Sequence, residues 1–274
     1  MDSRGQLQDM SFWDHIDALR SVLIKIVVLL VVFTVALFIA MPSIFDSIIL
    51  APCDGSFILY RTLARIAESI PGCPHVSTEG YHVDLINIQL SSQFFVHMST
   101  SFWLALVLGF PMVIYLLWTF VEPALYPNEK RGARRAFLLG NLMFFIGVAV
   151  GYFIVFPVTL RFFADYHVSE LVPNQISLDS YMDSFLMLVF MMGVVFEFPL
   201  VAWVLGRMDV LHRDFFREYR RHAIVALMVF AAIITPADPF SMIVVFVPIY
   251  ALFELSSFLV KPAPVEVDDD SIEG

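Results

Sequence analysis

Six nearly uncharged stretches divide this chain and limit its possible folds more than any other feature. They cover residues 22–41, 96–121, 136–156, 185–206, 223–235 and 240–260. An α-helix needs about 20 apolar residues to cross about 30 Å of hydrocarbon. The stretches therefore predict an all-α, polytopic membrane protein with six transmembrane helices. The fifth stretch has only about 13 residues, and the sixth is uncharged for only about 14 residues before Glu254. Both are short for a full bilayer, which predicts that the bilayer thins locally or that their ends are buried against other helices.

The composition of the chain excludes a conventional cytosolic enzyme. Of its 274 residues, 59% are hydrophobic and only 15% are charged, which is too few charges to cover the surface of a soluble protein. The formal net charge of -10 also argues against nucleic acid as a partner, because a phosphate-binding surface needs clustered lysine and arginine. Much of the acidic excess lies in residues 261–274.

The positions of lysine and arginine predict the side of the membrane on which each connection lies. One set of alternate connections and both terminal segments carry Arg4, Arg20, Lys25, Lys130, Arg131, Arg134, Arg135, Arg207, Arg213, Arg217, Arg220, Arg221 and Lys261. The other connections carry only Arg61, Arg65 and Arg161. Because positively charged loops stay in the cytoplasm, both termini are predicted to be cytoplasmic. No cleavable signal peptide is expected, since residues 1–20 carry four aspartates and no small-residue cleavage site follows the first apolar stretch.

The chain is expected to have three parts. Residues 1–21 are predicted to form a cytoplasmic amphipathic helix, residues 22–260 the membrane domain, and residues 261–274 an acidic cytoplasmic tail. Two long loops, residues 42–95 and 157–183, are expected to cap the bundle on its outer side.

The first outer loop contains two segments with regular patterns and both cysteines of the chain. Residues 58–70 have helical spacing of apolar side chains, and residues 86–90 alternate as a short extended run. Cys53 and Cys73 lie on the side where oxidation is permitted, so they form either a disulfide or two unpaired thiols in a partly buried cap.

Glu197 lies about midway through the fourth apolar stretch and requires an explanation. An ionisable side chain at membrane depth costs several kcal/mol, so it is not expected to face lipid. Pro199, two residues later, interrupts the helical hydrogen bonds and predicts a polar cavity nearby. Glu197 therefore either has a function there or is a protonated group that hydrogen-bonds a neighbouring helix.

Acidic side chains also occur in two segments predicted to be cytoplasmic. The helix before the first span carries Asp14, His15 and Asp17 on its polar side, and the connection after the second span carries Glu129. Taken alone, the N-terminal acids are explained as solvated charges near the start of a helix dipole. Together with Glu129, they offer carboxylates that accept two guanidinium groups through bidentate hydrogen bonds.

Five motifs in a fixed order resemble the TatC family, the six-helix receptor subunit of the twin-arginine protein translocase. They are HIDALR (15–20), FVEPALYPNEKR (120–131), GYFIVFP (151–157), FEFP (196–199) and ITPADPFS (234–241). Each motif is weak alone, but the resemblance covers nearly the whole chain.

The resemblance implies a concave, glove-shaped bundle that binds signal peptides bearing two consecutive arginines. In the family two cytoplasmic glutamates hold that pair, and Glu129 matches the second. At the first position this chain has Ala18 instead of glutamate. Asp17, the preceding residue, points about 100° away around the helix, whereas Asp14 lies one turn earlier on the same face. Either one is a candidate replacement.

The resemblance also assigns roles to further residues. Arg20, Phe120 and Leu125 are expected at the signal-peptide site, and Glu197 on the concave face. Pro52 in the first outer loop and Asp238 in the outer turn between the last two helices are expected to belong, with Glu197, to the partner site of the concave face. The implied partners are twin-arginine precursors, small single-span subunits of the TatA and TatB type, further copies of the chain and the lipid of a bacterial cytoplasmic (inner) membrane. The implied energy source is the proton gradient, without cofactor, metal or enzymatic activity.

Two other classes of protein are alternatives. Glu197 on its own is compatible with a proton-coupled small-molecule transporter, but such a protein is expected to have several buried charges and repeated halves, which this sequence lacks. An intramembrane hydrolase is the third class, but the sequence shows no metal-ligand pair and no Ser/Lys or paired intramembrane aspartate arrangement.

Overall fold

The computed structural model describes residues 12–69, 80–121, 127–169, 171, 174–207, 210–235 and 238–260. Within these residues the chain forms ten α-helices and two strands of two residues each. The helices are α1 Phe12–Ile44, α2 Ile58–Ser69, α3 Ser92–Val121, α4 Pro127–Val150, α5 Phe156–Asp165, α6 Leu178–Val195, α7 Phe198–Arg207, α8 Arg213–Glu218, α9 Arg220–Ile234 and α10 Pro239–Leu259. The strands are β1 Leu85–Ile86 and β2 Ile176–Ser177. The predicted all-α fold is confirmed.

Five helical segments of the described chain are long and apolar enough to cross a membrane. They are Ile16–Cys53, Ser92–Phe120, Arg134–Asp165, Leu178–Arg207 and Pro239–Leu259. The remaining predicted span corresponds to α9, which has 15 residues. A sixth crossing therefore stays a prediction, as does the cytoplasmic position of both termini.

The last helix is longer than its charge-free run suggested. α10 has 21 residues and continues through Glu254. The carboxylate of Glu254 pairs with Arg220 at 2.5 Å and accepts a hydrogen bond from the Tyr250 hydroxyl at 2.7 Å. Because these contacts neutralise and solvate the charge, the helix does not have to end before it. The expectation of a short sixth helix was wrong, whereas α9 is short.

The N-terminal amphipathic segment and the first span form one continuous helix rather than two. No glycine or proline occurs between Phe12 and Met41, so nothing in the backbone chemistry separates them. Helix α1 ends beyond Pro42 and is followed by a π-helical turn, Phe45–Ile49. Its main neighbour is α3, and many of its apolar side chains, among them Val27, Val31 and Ile39, are exposed, as expected of a helix at the lipid boundary.

Helices α4 and α6 approach each other closely through glycine. A Cβ atom added at Gly147 would lie 2.4 Å from the carbonyl oxygen of Met192 and 2.8 Å from the Cα atom of Gly193. One added at Gly151, where a π-helical turn ends α4, would lie 2.9 Å from the Cα atom of Val189. Small residues allow helices to approach closely in a membrane, where packing rather than the hydrophobic effect drives association.

The predicted outer loops pack together around the side chain of Tyr60. This tyrosine is fully buried, and its hydroxyl lies within hydrogen-bond distance of two carbonyl oxygens, 3.0 Å from that of Pro52 and 3.1 Å from that of Pro157. The guanidinium of Arg161 lies 5.3 Å from the Tyr60 ring and 5.0 Å from the Tyr81 ring. Burial raises the pKa of Tyr60 and raises that of Tyr81 to about 12, so both phenols keep their protons at neutral pH.

Two predictions for the first outer loop can be compared with the structure. Helix α2, Ile58–Ser69, confirms the predicted helix. The extended run is limited to β1, where Leu85 pairs in parallel with Ile176 of the second outer loop. Cys53 is a buried free thiol, and Cys73 lies outside the described residues.

Candidate functional site

Glu197 lies at a break in the fourth membrane segment. Helix α6 ends at Val195 and α7 begins at Phe198, so Pro199 occupies the second position of the new helix. A proline is tolerated there because the first turn of a helix has no intrahelical acceptor for its backbone N–H groups. The carbonyl oxygen of Glu197 accepts from the backbone N–H groups of Leu200 and Val201, both at 3.0 Å. The expected interruption near Pro199 is confirmed.

The carboxylate of Glu197 lies against the backbone of α4. A Cβ atom added at Gly140 would be 2.9 Å from Oε2 of Glu197 and 2.9 Å from Cδ2 of Leu200. Glycine thus leaves the space that the carboxyl group occupies. Oε1 is buried and has no hydrogen-bond partner among the described residues. A buried oxygen without a partner costs free energy, so this position suits a polar group supplied from outside the described chain.

The N-terminal acids of α1 and the end of α3 lie at the same end of the α1–α3 pair. The ring of Phe38 stacks on that of His97 at 3.9 Å, and Leu30 lies where a Cβ at Gly109 would meet it at 3.5 Å. Phe38 thus contacts His97, and Leu30, eight residues earlier in α1, lies beside Gly109, which is later in α3 than His97. The two helices are antiparallel, so the first turns of α1 lie at the same end of the pair as the last turn of α3.

The structure describes the side chains of three of the candidate signal-peptide residues. Asp17 and Arg20 are exposed on α1, and Phe120 is half-buried in the last turn of α3. Glu129 lies in the first turn of α4, which begins only a few residues after α3 ends. Leu125 lies outside the described residues, and so do the side chains of Asp14 and Glu129.

Pro52 and Asp238, the other residues proposed for a partner site, have local structural contacts. The carbonyl oxygen of Pro52 lies near the Tyr60 hydroxyl, as described above. Asp238 is the N-cap of α10, and its Oδ1 accepts a hydrogen bond from the backbone N–H of Ser241 at 2.6 Å. Its Oδ2 is buried without a partner among the described residues. These contacts stabilise loop and helix ends and lie on other elements than the Glu197 break.

A family model described as "Sec-independent protein translocase protein (TatC)" matches residues 14–248, which includes both carboxylate segments and the Glu197 break. The chain belongs to the TatC family. A TatC protein of Blattabacterium sp. subsp. Periplaneta americana is 30% identical over 257 residues, which are 93% of this chain and 97% of the relative. The TatC protein of Escherichia coli (strain K12) is 34% identical over 175 residues, which are 64% of this chain and 67% of the relative.

Solved structures of TatC have the same fold. A crystal structure described as the twin-arginine translocase receptor TatC superposes with a TM-score of 0.69 at 29% identity and covers 89% of this chain and 97% of that one. A crystal structure of TatC in DDM superposes with a TM-score of 0.71 at 29% identity and covers 90% and 99%. The chain is thus a multi-pass membrane protein of a protein-translocase family, which is not a family of catalytic enzymes, and the transporter alternative is not favoured.

Sequence reasoning missed two features near these sites. Gly140 was not singled out, although it adjoins the Glu197 carboxylate, because a glycine in an apolar helix gives no signal of the residue that faces it. Arg213, Arg217 and Arg220 were used only to predict the side of the membrane on which their segment lies. In the structure all three line one pocket.

Proposed function

We propose that this TatC-family chain is the signal-peptide receptor and core subunit of a twin-arginine translocase that exports folded proteins, driven by the proton gradient. It would act without catalytic chemistry in the bacterial cytoplasmic membrane, with both termini in the cytoplasm. The observation that carries the proposal is the antiparallel packing of α1 against α3, which puts the first turns of α1 at the same end of the pair as the last turn of α3, and α4 begins a few residues later.

The chemistry at that end fits two consecutive arginines. Each guanidinium presents two parallel N–H donors that match the two oxygens of a carboxylate, and such charge-assisted pairs are the stronger hydrogen bonds of proteins. Glu129 supplies one carboxylate, and Asp17 or Asp14 the other. The exposure of Asp17 supports its choice, because an exposed carboxylate reaches a peptide without rearrangement of the helix. Arg20, Phe120 and Leu125 would contact the remainder of the signal peptide.

The Glu197 break is proposed as the contact for a membrane partner. A small single-span subunit of the TatA or TatB type, or the apolar part of the signal peptide, would supply the hydrogen-bond donor that Oε1 lacks among the described residues. Pro52 and Asp238 would border the same concave face from the outer side. Self-association of the receptor belongs to the same proposal.

Replacement of Glu129 tests the proposal. Glu129→Gln keeps the size and polarity of the side chain but removes one charge-assisted pair, so binding of a twin-arginine precursor should weaken about tenfold or more. Binding is measured on membranes or on purified protein with a labelled precursor. The matched control is Glu218→Gln, which removes an exposed carboxylate of α8 and should leave binding unchanged. Unchanged binding by Glu129→Gln would remove this residue from the site.

A further inference from the structure

A pocket of about 400 Å³ opens where α8, α9 and the end of α10 meet. Six residues line it: Arg213, Arg217, Arg220, Glu254, Ser257 and Phe258. Three of these carry a positive charge and only one a negative charge. The lining of the pocket therefore has a net positive charge.

The single carboxylate of the pocket is already occupied by other partners. Glu254 pairs with Arg220 at 2.5 Å and accepts the Tyr250 hydroxyl at 2.7 Å. Arg213 lies over the ring of Phe258 at 5.3 Å, and Arg217 is exposed. In the part of the chain that the structure describes, neither Arg213 nor Arg217 forms an ion pair. Two guanidinium groups are thus available for an anionic ligand.

Apolar side chains continue from the pocket along the outside of α10. Phe258 is 67% exposed although it lines the pocket, and Leu255 and Leu259 are 48% and 46% exposed. Because residues three and four apart share a helix face, these three side chains form one strip. The strip belongs to the last turns of a membrane-crossing helix, so it lies near the level of lipid headgroups. A ligand with an anionic head and an apolar chain fits both features.

We propose that this pocket binds the phosphate group of an anionic membrane lipid. Arg213 and Arg217 donate to the phosphate oxygens, and an acyl chain lies along Leu255, Phe258 and Leu259. Arginine suits this role because its planar group pairs with phosphate in a bidentate manner, and basic pockets between membrane helices bind anionic headgroups. The charge pattern predicts this end of α10 to be cytoplasmic, where anionic lipid attracts arginine.

The chain's own acidic C-terminal residues are the competing occupant. Glu266, Asp268, Asp269, Asp270 and Glu273 follow α10 within a few residues and have the complementary charge. The apolar side chains of that segment, Val265, Val267 and Ile272, are separated by acidic residues, whereas one acyl chain is continuously apolar, so the exposed Phe258 and its two neighbours favour lipid. The experiment below separates the two occupants.

Lipid binding is measured on the full chain in a neutral detergent with fluorescent phosphatidylglycerol as the probe and phosphatidylcholine as the uncharged comparison. The unaltered protein should bind phosphatidylglycerol in preference to phosphatidylcholine. The double variant Arg213→Gln, Arg217→Gln should bind phosphatidylglycerol about thirtyfold more weakly, since each arginine contributes separately to attraction of an anionic headgroup. The matched control is Arg134→Gln, Arg135→Gln, which removes two exposed arginines outside the pocket and should leave binding within about twofold.

Four results would overturn the proposal. One is equal loss in the pocket and control variants, which would mean that only overall charge matters. The second is an equal loss of phosphatidylglycerol binding in Arg213→Lys, Arg217→Lys. This variant keeps both positive charges and should retain part of the binding, so an equal loss would point to a folding defect instead of a lost charge. The third is a rise in phosphatidylglycerol binding after removal of residues 261–274, which would identify the acidic segment as the occupant. The fourth is displacement of the lipid by millimolar inorganic phosphate, which would identify a free anion as the ligand.

Discussion

The glycine contact between α4 and α6 makes Gly147→Ala the substitution whose effect follows most directly from the structure. The added Cβ atom would lie 2.4 Å from the backbone oxygen of Met192, 2.7 Å from Cβ of Phe196 and 2.8 Å from Cα of Gly193. An ordinary contact begins at 3.4 Å, so the two backbones must separate by about 1 Å. No side-chain rotation relieves this contact, because the three obstructing atoms belong to the backbone or are attached directly to it.

Two opposing terms decide the size of the effect. Alanine is favoured over glycine in a helix by about 1 kcal/mol, which stabilises the variant. Overpacking of a closely packed contact costs typically about 1–3 kcal/mol, and contact with a rigid backbone places this case at the upper end. The net result is a loss of about 2 kcal/mol of unfolding free energy. The control is Gly109→Ala in α3, where the nearest atom, Cδ2 of Leu30, is at an ordinary 3.5 Å and the helix term alone applies.

The two variants are compared by chemical unfolding of the purified protein in detergent. We expect Gly147→Ala to unfold at a lower denaturant concentration than the unaltered chain, and Gly109→Ala at the same or a higher concentration. If Gly147→Ala were as stable as Gly109→Ala, the close approach of α4 and α6 would be wrong.

Three other predictions concern the outer loops and the two proposed sites. Tyr60→Phe leaves two buried carbonyl oxygens without their shared donor and should cost about 1–3 kcal/mol in chemical unfolding, whereas Tyr166→Phe at an exposed position should cost nothing measurable. Glu197→Gln should keep partner co-purification and export while Glu197→Ala loses both, and normal behaviour of the alanine variant in both assays would remove Glu197 from the partner site. If Asp17 supplies the first carboxylate, Asp17→Asn abolishes precursor binding and Asp14→Asn does not, and the reverse order would assign the role to Asp14.

The membrane helices were predictable because the cost of burying a charge in lipid restricts the sequence directly. The runs without charge located the spans, and Pro199 located the break at Glu197 because proline removes a backbone donor. Helix continuity was less predictable. The N-terminal segment and the first span are one helix, because a change from polar to apolar side chains does not interrupt a helix that lacks glycine and proline.

Contacts between distant segments could not be read from the sequence. The pairing of β1 with β2 joins residues about 90 positions apart through only two residues each, too few to give a pattern. The position of Gly140 beside Glu197 depends on how α4 is rotated against α7, and hydropathy does not encode that rotation. The departure at Ala18 was visible in the sequence, but the choice between Asp17 and Asp14 depends on the rotation of α1 relative to a bound peptide.

The central claim is that the start of α1 and the start of α4 together hold the arginine pair of a precursor. Site-specific photo-crosslinking tests it most directly, with the photoreactive residue placed at Leu19 or at Asn128 so that Asp17 and Glu129 stay intact. We predict crosslinks from both positions to a precursor with two consecutive arginines, weak crosslinks to the same precursor with two lysines, and none from a control probe at Glu218. Equal crosslinking of the two precursors, or crosslinks from Glu218 alone, would contradict the claim.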